Sequence, residues 1–160
     1  EWGASTPWQF FTSHPEPELA EQVAKGRVEE FAQMDWDLTA VPNPQELSTF
    51  TNSKLDWDEA GVGAHAELLE FYRRLIAMRR TFPDLTDPRF SRCVTSFSDE
   101  DGWLMVERGE MVLVVNFSGS ASEVTLPRAA STVLQVGDVQ VFGDSVKLGG
   151  HSALLGQLDA

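Results

Sequence analysis

Wound at the helical period, the stretch from Ala66 to Phe82 divides in two. Leu68, Leu69, Phe71, Tyr72, Leu75, Ile76, Met78 and Phe82 take one half of the wheel, and Glu67, Glu70, Arg73, Arg74, Ala77, Arg80 and Thr81 take the other. An apolar arc this wide needs a broad partner, a sheet or a barrel, and exceeds the seam of a coiled coil. Arg79 interrupts the arc, and its guanidinium must be paired or reach the rim, since an unpaired buried charge costs several kcal/mol. Glu70 and Arg74 are spaced for an exposed i,i+4 pair worth about 0.2–0.5 kcal/mol. The helix joins two unlike halves. Before it the chain is rich in Trp, Pro and Asp with short helical pieces; after Pro83 it turns to strands.

Beyond Pro83, Trp103 to Glu107 and Met111 to Phe117 flank Arg108-Gly109-Glu110, a glycine-containing link of the kind that joins hairpin strands. Cys93 to Phe97, Glu123 to Leu126, Thr132 to Val136, Val139 to Phe142, Ser145 to Leu148 and Ser152 to Leu155 supply further strands, with Gly, Pro, Asp and Ser between them. So many short strands in succession predict an antiparallel β-sandwich, and with the helices an α+β chain. The nearly unbroken apolar run from Met111 to Phe117 predicts a central strand covered on both faces. Trp103 and Phe97 are assigned to the core rather than to a sugar-stacking platform, because a small sandwich needs aromatic bulk inside.

From Glu1 to Phe11 aromatics alternate with Gly, Ser, Thr and Pro, which suits a loop. Trp2, Trp8, Phe10 and Phe11 either pack beneath neighbouring loops or offer flat faces to a sugar ring. Ser13-His14-Pro15-Glu16 has capping-box spacing and predicts a helix starting nearby; Leu19, Ala20, Val23 and Ala24 continue it. Gly26 weakens it, and Val28 with Phe31 is expected to form a second short piece. Asp35-Trp36-Asp37 and Asp56-Trp57-Asp58 look like paired carboxylates, but in segments containing Pro42 and Pro44 such residues cap turns; Asp58 is expected to cap a turn leading to the main helix.

A net charge of −13 with a pI near 4.5 argues against nucleic acid and anionic membranes as partners. Cys93 is the one cysteine, flanked by Arg92 and Val94 with no local base; it is expected to be a buried small hydrophobe in a chain of the reducing cytoplasm. No apolar run approaches the roughly 18 residues of a membrane span. His14 and His65 have no ligand pattern around them, so no metal is expected, and without a phosphate loop or nucleophile elbow no cofactor is expected either. The chain opens on Glu1 without signal-peptide features and reads as cut from something longer.

Three pieces in order carry a resemblance: Glu1-Trp2-Gly3-Ala4-Ser5-Thr6-Pro7-Trp8-Gln9-Phe10-Phe11-Thr12-Ser13-His14, then Ser53-Lys54-Leu55-Asp56-Trp57, then Leu69 through Pro83. Together they resemble the alpha-amylase family of glycoside hydrolases. The Gln9 to His14 run and the Pro15 to Phe31 pattern are more similar to members that release trehalose from maltooligosyltrehalose than to the glycogen branching enzyme. The resemblance implies a helical tail of a TIM (β/α)8 barrel followed by a C-terminal antiparallel β-sandwich. Residues 1–84 would be the C-terminal remnant of the catalytic barrel, with Glu1-Trp2-Gly3 just after its eighth strand and Ala66 to Phe82 as its last helix. Residues 85–160 would be an all-β domain that braces it.

The same resemblance implies that the nucleophilic aspartate, the acid glutamate and a third aspartate lie upstream, so no catalytic residue falls on this chain and it is expected to be inactive alone. The parent enzyme would act on a maltooligosaccharide-type substrate, cutting the α-1,4 bond next to its trehalose end with retention. Loops after barrel strands build the working face, which assigns substrate binding to Glu1, Trp2, Trp8, Phe10, Phe11, Thr12 and His14. A branching transferase and a self-standing carbohydrate-binding or scaffold domain are the alternatives. Because the apolar side of Leu68 to Ile76 would have lost its barrel, the chain is expected to rearrange its N-terminal part or to self-associate through that face.

Overall fold

The computed structural model describes residues 1–32, 34 and 37–160, so Asp35 and Trp36 lie outside the described residues. It divides into two compact units, residues 1–74 and 75–160.

In the second unit, β1 (Cys93–Ser98), β2 (Trp103–Arg108), β3 (Met111–Asn116), β8 (Ser152–Leu158) and β5 (Ala130–Val136) form a five-stranded sheet in that order. β4 (Ser122–Thr125), β7 (Ser145–Leu148) and β6 (Val139–Phe142) form a second sheet, and every pairing is antiparallel. The β2–β3 hairpin stands where Gly109 predicted it, and each expected strand is present within a few residues of its expected bounds. Strand alternation puts Val112 and Val114 on the same face as Met105 of β2 and Leu154 of β8; they meet Val124, Val139, Val146 and Leu148 of the smaller sheet in one core. This is a β-sandwich.

Asn116 is a polar residue in that interior with a full set of partners. Its Nδ2 donates to Ser120 O (2.7 Å) and Gly149 O (2.9 Å), and its Oδ1 accepts from Ser118 N (2.9 Å), so one buried amide ties two inter-strand turns together. A second polar clasp holds the segment that precedes β1. Asp84 Oδ2 accepts from Glu110 N (2.8 Å) while its Oδ1 lies 3.0 Å from Arg92 Nη2, and Arg108 donates to Asp87 O. The Arg89 side chain, with Arg92 beyond it, holds the Asp87 carboxyl below the usual carboxylate range.

Two expectations need correction here. β3 is central and its inner face is closed, but the alternate face is covered only in part: Met111 there is buried and Val115 half-buried, while Leu113 is exposed, because the second sheet covers a single side. The core is aliphatic. Trp103 packs against it, but Phe97 is 65% exposed, and Phe90, Phe117 and Phe142 are exposed too. Phe97 pairs with Leu104 on the outward face of the register, so its position on the strand decides its fate over its hydrophobicity. Cys93 is half-buried.

The first unit consists of an irregular segment, then α1 (Pro17–Ala32), α2 (Leu47–Thr51) and the start of α3 (Gly63–Thr81), which continues into the second unit. α1 runs unbroken through Gly26, where nothing packs within 4 Å, so the glycine weakens the helix without ending it. In α3 the pair is Glu70 with Arg73 (3.6 Å), not Arg74, and Arg79 is exposed. Asp37 Oδ1 caps the turn Leu38–Ala40 through Thr39 N (2.9 Å), as carboxylates in such segments were expected to do. Asp58 occupies the cap position of the turn Glu59–Gly61 without a side-chain bond; Asp56 Oδ1 instead accepts from Asp58 N (3.0 Å). No residue of α3 is buried. Leu68, Tyr72 and Ile76 are 38%, 42% and 47% exposed.

Two substitutions test the sandwich. Leu154→Ala should cost about 2–5 kcal/mol in urea denaturation, as a fully buried leucine. Gly109 has φ +60° and a Cβ there would sit 2.4 Å from the Asp84 carboxylate, so Gly109→Ala should cost about 1–3 kcal/mol. An unchanged midpoint for either would contradict the packing described.

Candidate functional site

The segment from Glu1 to His14 contains no regular element, and side chains from later in the first unit fix it at three places. At the first, Glu59 gathers donors. Its Oε1 accepts from Trp2 Nε1 (3.1 Å) and Ser5 N (2.9 Å), and its Oε2 accepts from Ser5 Oγ (2.6 Å). His65 closes the cluster: Nδ1 donates to Trp2 O (2.9 Å) and Nε2 lies 3.9 Å from Glu59 Oε2. Trp2 is 8% exposed and stacks obliquely on Trp57, ring centres 4.9 Å apart. Gly3, at φ +66°, makes the turn between the two donors, and a Cβ there would press on Leu68 at 3.1 Å. The second place is Ser53, whose Oγ donates to Thr49 O (2.8 Å) and accepts from Gln9 N (3.2 Å). At the third, Thr12 N donates to Pro44 O (2.9 Å) and His14 N to Gln45 Oε1 (3.1 Å).

Between these fixed points the side chains part to two clefts. One, of about 590 Å³, is lined by Trp8, Gln9, Phe10, Arg27, Phe31, Asp37, Ala40, Val41 and Pro42. Arg27 stands over the rings of Phe10 (5.2 Å) and Phe31 (4.3 Å) and pairs with Glu30 (2.8 Å). Bonds from the Thr39 side chain and backbone lower the Asp37 carboxyl's pKa. Gln9 Oε1 is buried without a hydrogen bond among the described residues. The other cleft, about 420 Å³, is lined by Phe11, Thr12, Ser13, Gln45, Glu46, Leu47 and Phe50, with Phe11 and Phe50 edge to face at 5.1 Å. Flat rings beside planar polar groups can take the apolar face of a sugar and its hydroxyl edge.

The seven residues singled out from sequence therefore separate. Trp8 (80% exposed) and Phe10 share the larger cleft; Phe11 and Thr12 share the smaller, with His14 Nε2 3.2 Å from Thr12 Oγ1; Glu1 is exposed and lines neither; Trp2 is buried with its N–H engaged. Sequence reasoning missed Glu59, Ser53, Arg27 and Gln45. Glu59 directly follows the Asp56-Trp57-Asp58 motif, which drew attention to the wrong carboxylates, and bonds across more than forty positions leave no periodic signal.

The comparisons with known proteins bear on both units. Residues 88–155 match a family model described as Domain of unknown function (DUF3459). Over 138 residues, 86% of the chain, it is 51% identical to a malto-oligosyltrehalose trehalohydrolase of Brevibacterium helvolum. Over 148 residues, 92% of the chain, it is 47% identical to the enzyme of that name from Rhizobium sp. (strain M-11). The chain is homologous to part of malto-oligosyltrehalose trehalohydrolase. It spans about a quarter of the trehalohydrolases' length, 23% and 24% respectively. Among solved structures it is similar to a putative alpha amylase from Salmonella typhimurium, with a TM-score of 0.77 and 28% identity, over 99% of this chain and 27% of that one. These matches fit a C-terminal part of an alpha-amylase-family glycoside hydrolase and do not favour the branching or stand-alone alternatives.

The bonds from Ser5, then Trp2 and the charge of His65, lower the Glu59 pKa. A carboxylate depressed on folding stabilises above its unfolded value and loses that contribution as pH falls through its folded one. Tryptophan fluorescence should therefore report loosening around Trp2 as pH falls below about 4, and E59Q should remove that component. Identical acid titrations of the two proteins would contradict the assignment.

Proposed function

We propose that this chain is the C-terminal part of a glycoside hydrolase that cleaves the α-1,4 bond adjacent to the trehalose end of maltooligosyltrehalose and releases trehalose. The observation that carries this reading is 51% and 47% identity to trehalohydrolases over most of the chain. Residues 1–84 are the end of the catalytic barrel and residues 85–160 its C-terminal all-β domain. The acid/base and nucleophilic carboxylates belong to the rest of the enzyme, and the chain alone is inactive. Its own contribution is a binding wall: Trp8, Phe10 and Phe11 stack on glucosyl rings, Thr12, His14 and Glu1 meet hydroxyls, and Trp2 acts from beneath. The two aromatic clefts support this for Trp8, Phe10, Phe11 and Thr12. A single half-buried, free cysteine fits a cytoplasmic setting.

In the full-length enzyme, released trehalose should appear from maltooligosyltrehalose; new branch points without trehalose would favour the transferase. Alanine at Trp8, Phe10 or Phe11 should raise KM or shift product choice, whereas unchanged kinetics in all three would assign them to packing.

The apolar stripe of Leu68, Tyr72 and Ile76 supports self-association of the chain when it is alone. Hiding about 400 Å² at about 25 cal/mol per Å² favours association by roughly 10 kcal/mol before binding entropy of similar size. Light scattering should show mass rising with concentration; a monomer throughout would contradict it.

A further inference from the structure

Trp8 is the most exposed indole among the described residues, and it lies on a short span fastened at both ends. On one side Ser5 gives both its N–H and its hydroxyl to Glu59, which also holds the Trp2 indole; on the other, Gln9 N is bonded to Ser53 Oγ, itself anchored on Thr49 O. Only Thr6, Pro7 and Trp8 lie between the two attachments, and Pro7 has its φ fixed by its own ring. An exposed indole with no covering neighbour would gain by folding back on apolar surface, and a backbone span fixed at both ends narrows the positions from which its ring can do so.

We propose that Glu59 and Ser53 are positioning residues that present Trp8 to the ligand in the larger cleft. Neither lines that cleft. They act on it through the backbone of Ser5 and Gln9. The geometry explains a carboxylate at position 59 better than stability alone does: it accepts from two donors on Ser5 and a third on Trp2, which no neutral side chain of that size accepts in full. Position 53 needs a group that donates back to Thr49 O while accepting from Gln9 N, which a hydroxyl does and an alanine does not. The inference rests on the reading of Trp8 as a substrate contact.

The test uses the full-length enzyme and maltooligosyltrehalose, with E59Q, Ser53→Ala and Ser5→Ala measured beside Trp8→Ala. E59Q is isosteric, and Ser5→Ala removes one bond only, so a folded protein is available even if one variant is lost. Released positioning should raise KM about tenfold with kcat within about threefold, without any further rise when E59Q is added to Trp8→Ala. A role confined to folding would instead lower the melting temperature and the active fraction while leaving KM within twofold; that result in E59Q, Ser5→Ala and Ser53→Ala overturns the inference. If Trp8→Ala itself leaves KM unchanged, the substrate-contact reading fails, and the positioning of Trp8 fails with it. If Trp8→Ala raises KM and the three positioning variants do not, only the inference fails.

Discussion

The first unit has almost no interior. Up to Arg74 the buried residues among those described are Trp2, Pro44 and Thr49, and each is a hydrogen-bonding node. Trp2 is held by Glu59 and His65, Pro44 O accepts from Thr12 N, and Thr49 Oγ1 donates to Asn43 O at 2.6 Å. Where apolar burial is this scarce, directional bonds determine the path of the chain, and Glu59 with its three donors is the densest of them. Such bonds fix geometry at modest net gain, about 0.5–1.5 kcal/mol each, or more where a charge takes part. The second unit rests on the opposite balance. Ten buried side chains, nine on its two sheets and Leu126 just past β4, meet in one cluster, and its polar groups secure turns around a core that already exists.

The two halves differ in legibility for the same reason. The sandwich strands could be read because alternation and glycine punctuation are local, and the hairpin at Gly109 is a two-residue matter. The half-wheel of Leu68 to Phe82 likewise announced its helix. What could not be read were non-local decisions. Phe97 looks like core until its register with Leu104 puts it outside. Gly26 looks like a break until the helix passes through it. Glu59 has no neighbour in sequence that hints at Trp2 and Ser5, and Asp84 none that hints at the Glu110 backbone. In the candidate site the aromatics were visible as a cluster, but their division between two clefts, and the burial of Trp2 against Trp57, depend on contacts across the unit.

The exposed side of α3 and the scarcity of interior in the first unit point the same way. Leu68, Tyr72 and Ile76 recur at four-residue spacing on a helix with no buried residue, and the chain spans about a quarter of the trehalohydrolases it matches. A helix face of that kind is a surface made to be covered. The aromatic segment at the other end of the unit is held by polar bonds to Glu59 and Ser53 without such cover, which lets it keep a defined shape.

Hydrogen exchange across the 160-residue chain measures this balance directly. If burial stabilises the second unit and polar bonds alone shape the first, amides of β3 and β8 should be protected to the level of global unfolding, while those of α1, α2 and the early turns of α3 exchange about a hundredfold faster or more. Equal protection of both units, rising and falling together with denaturant, would contradict it.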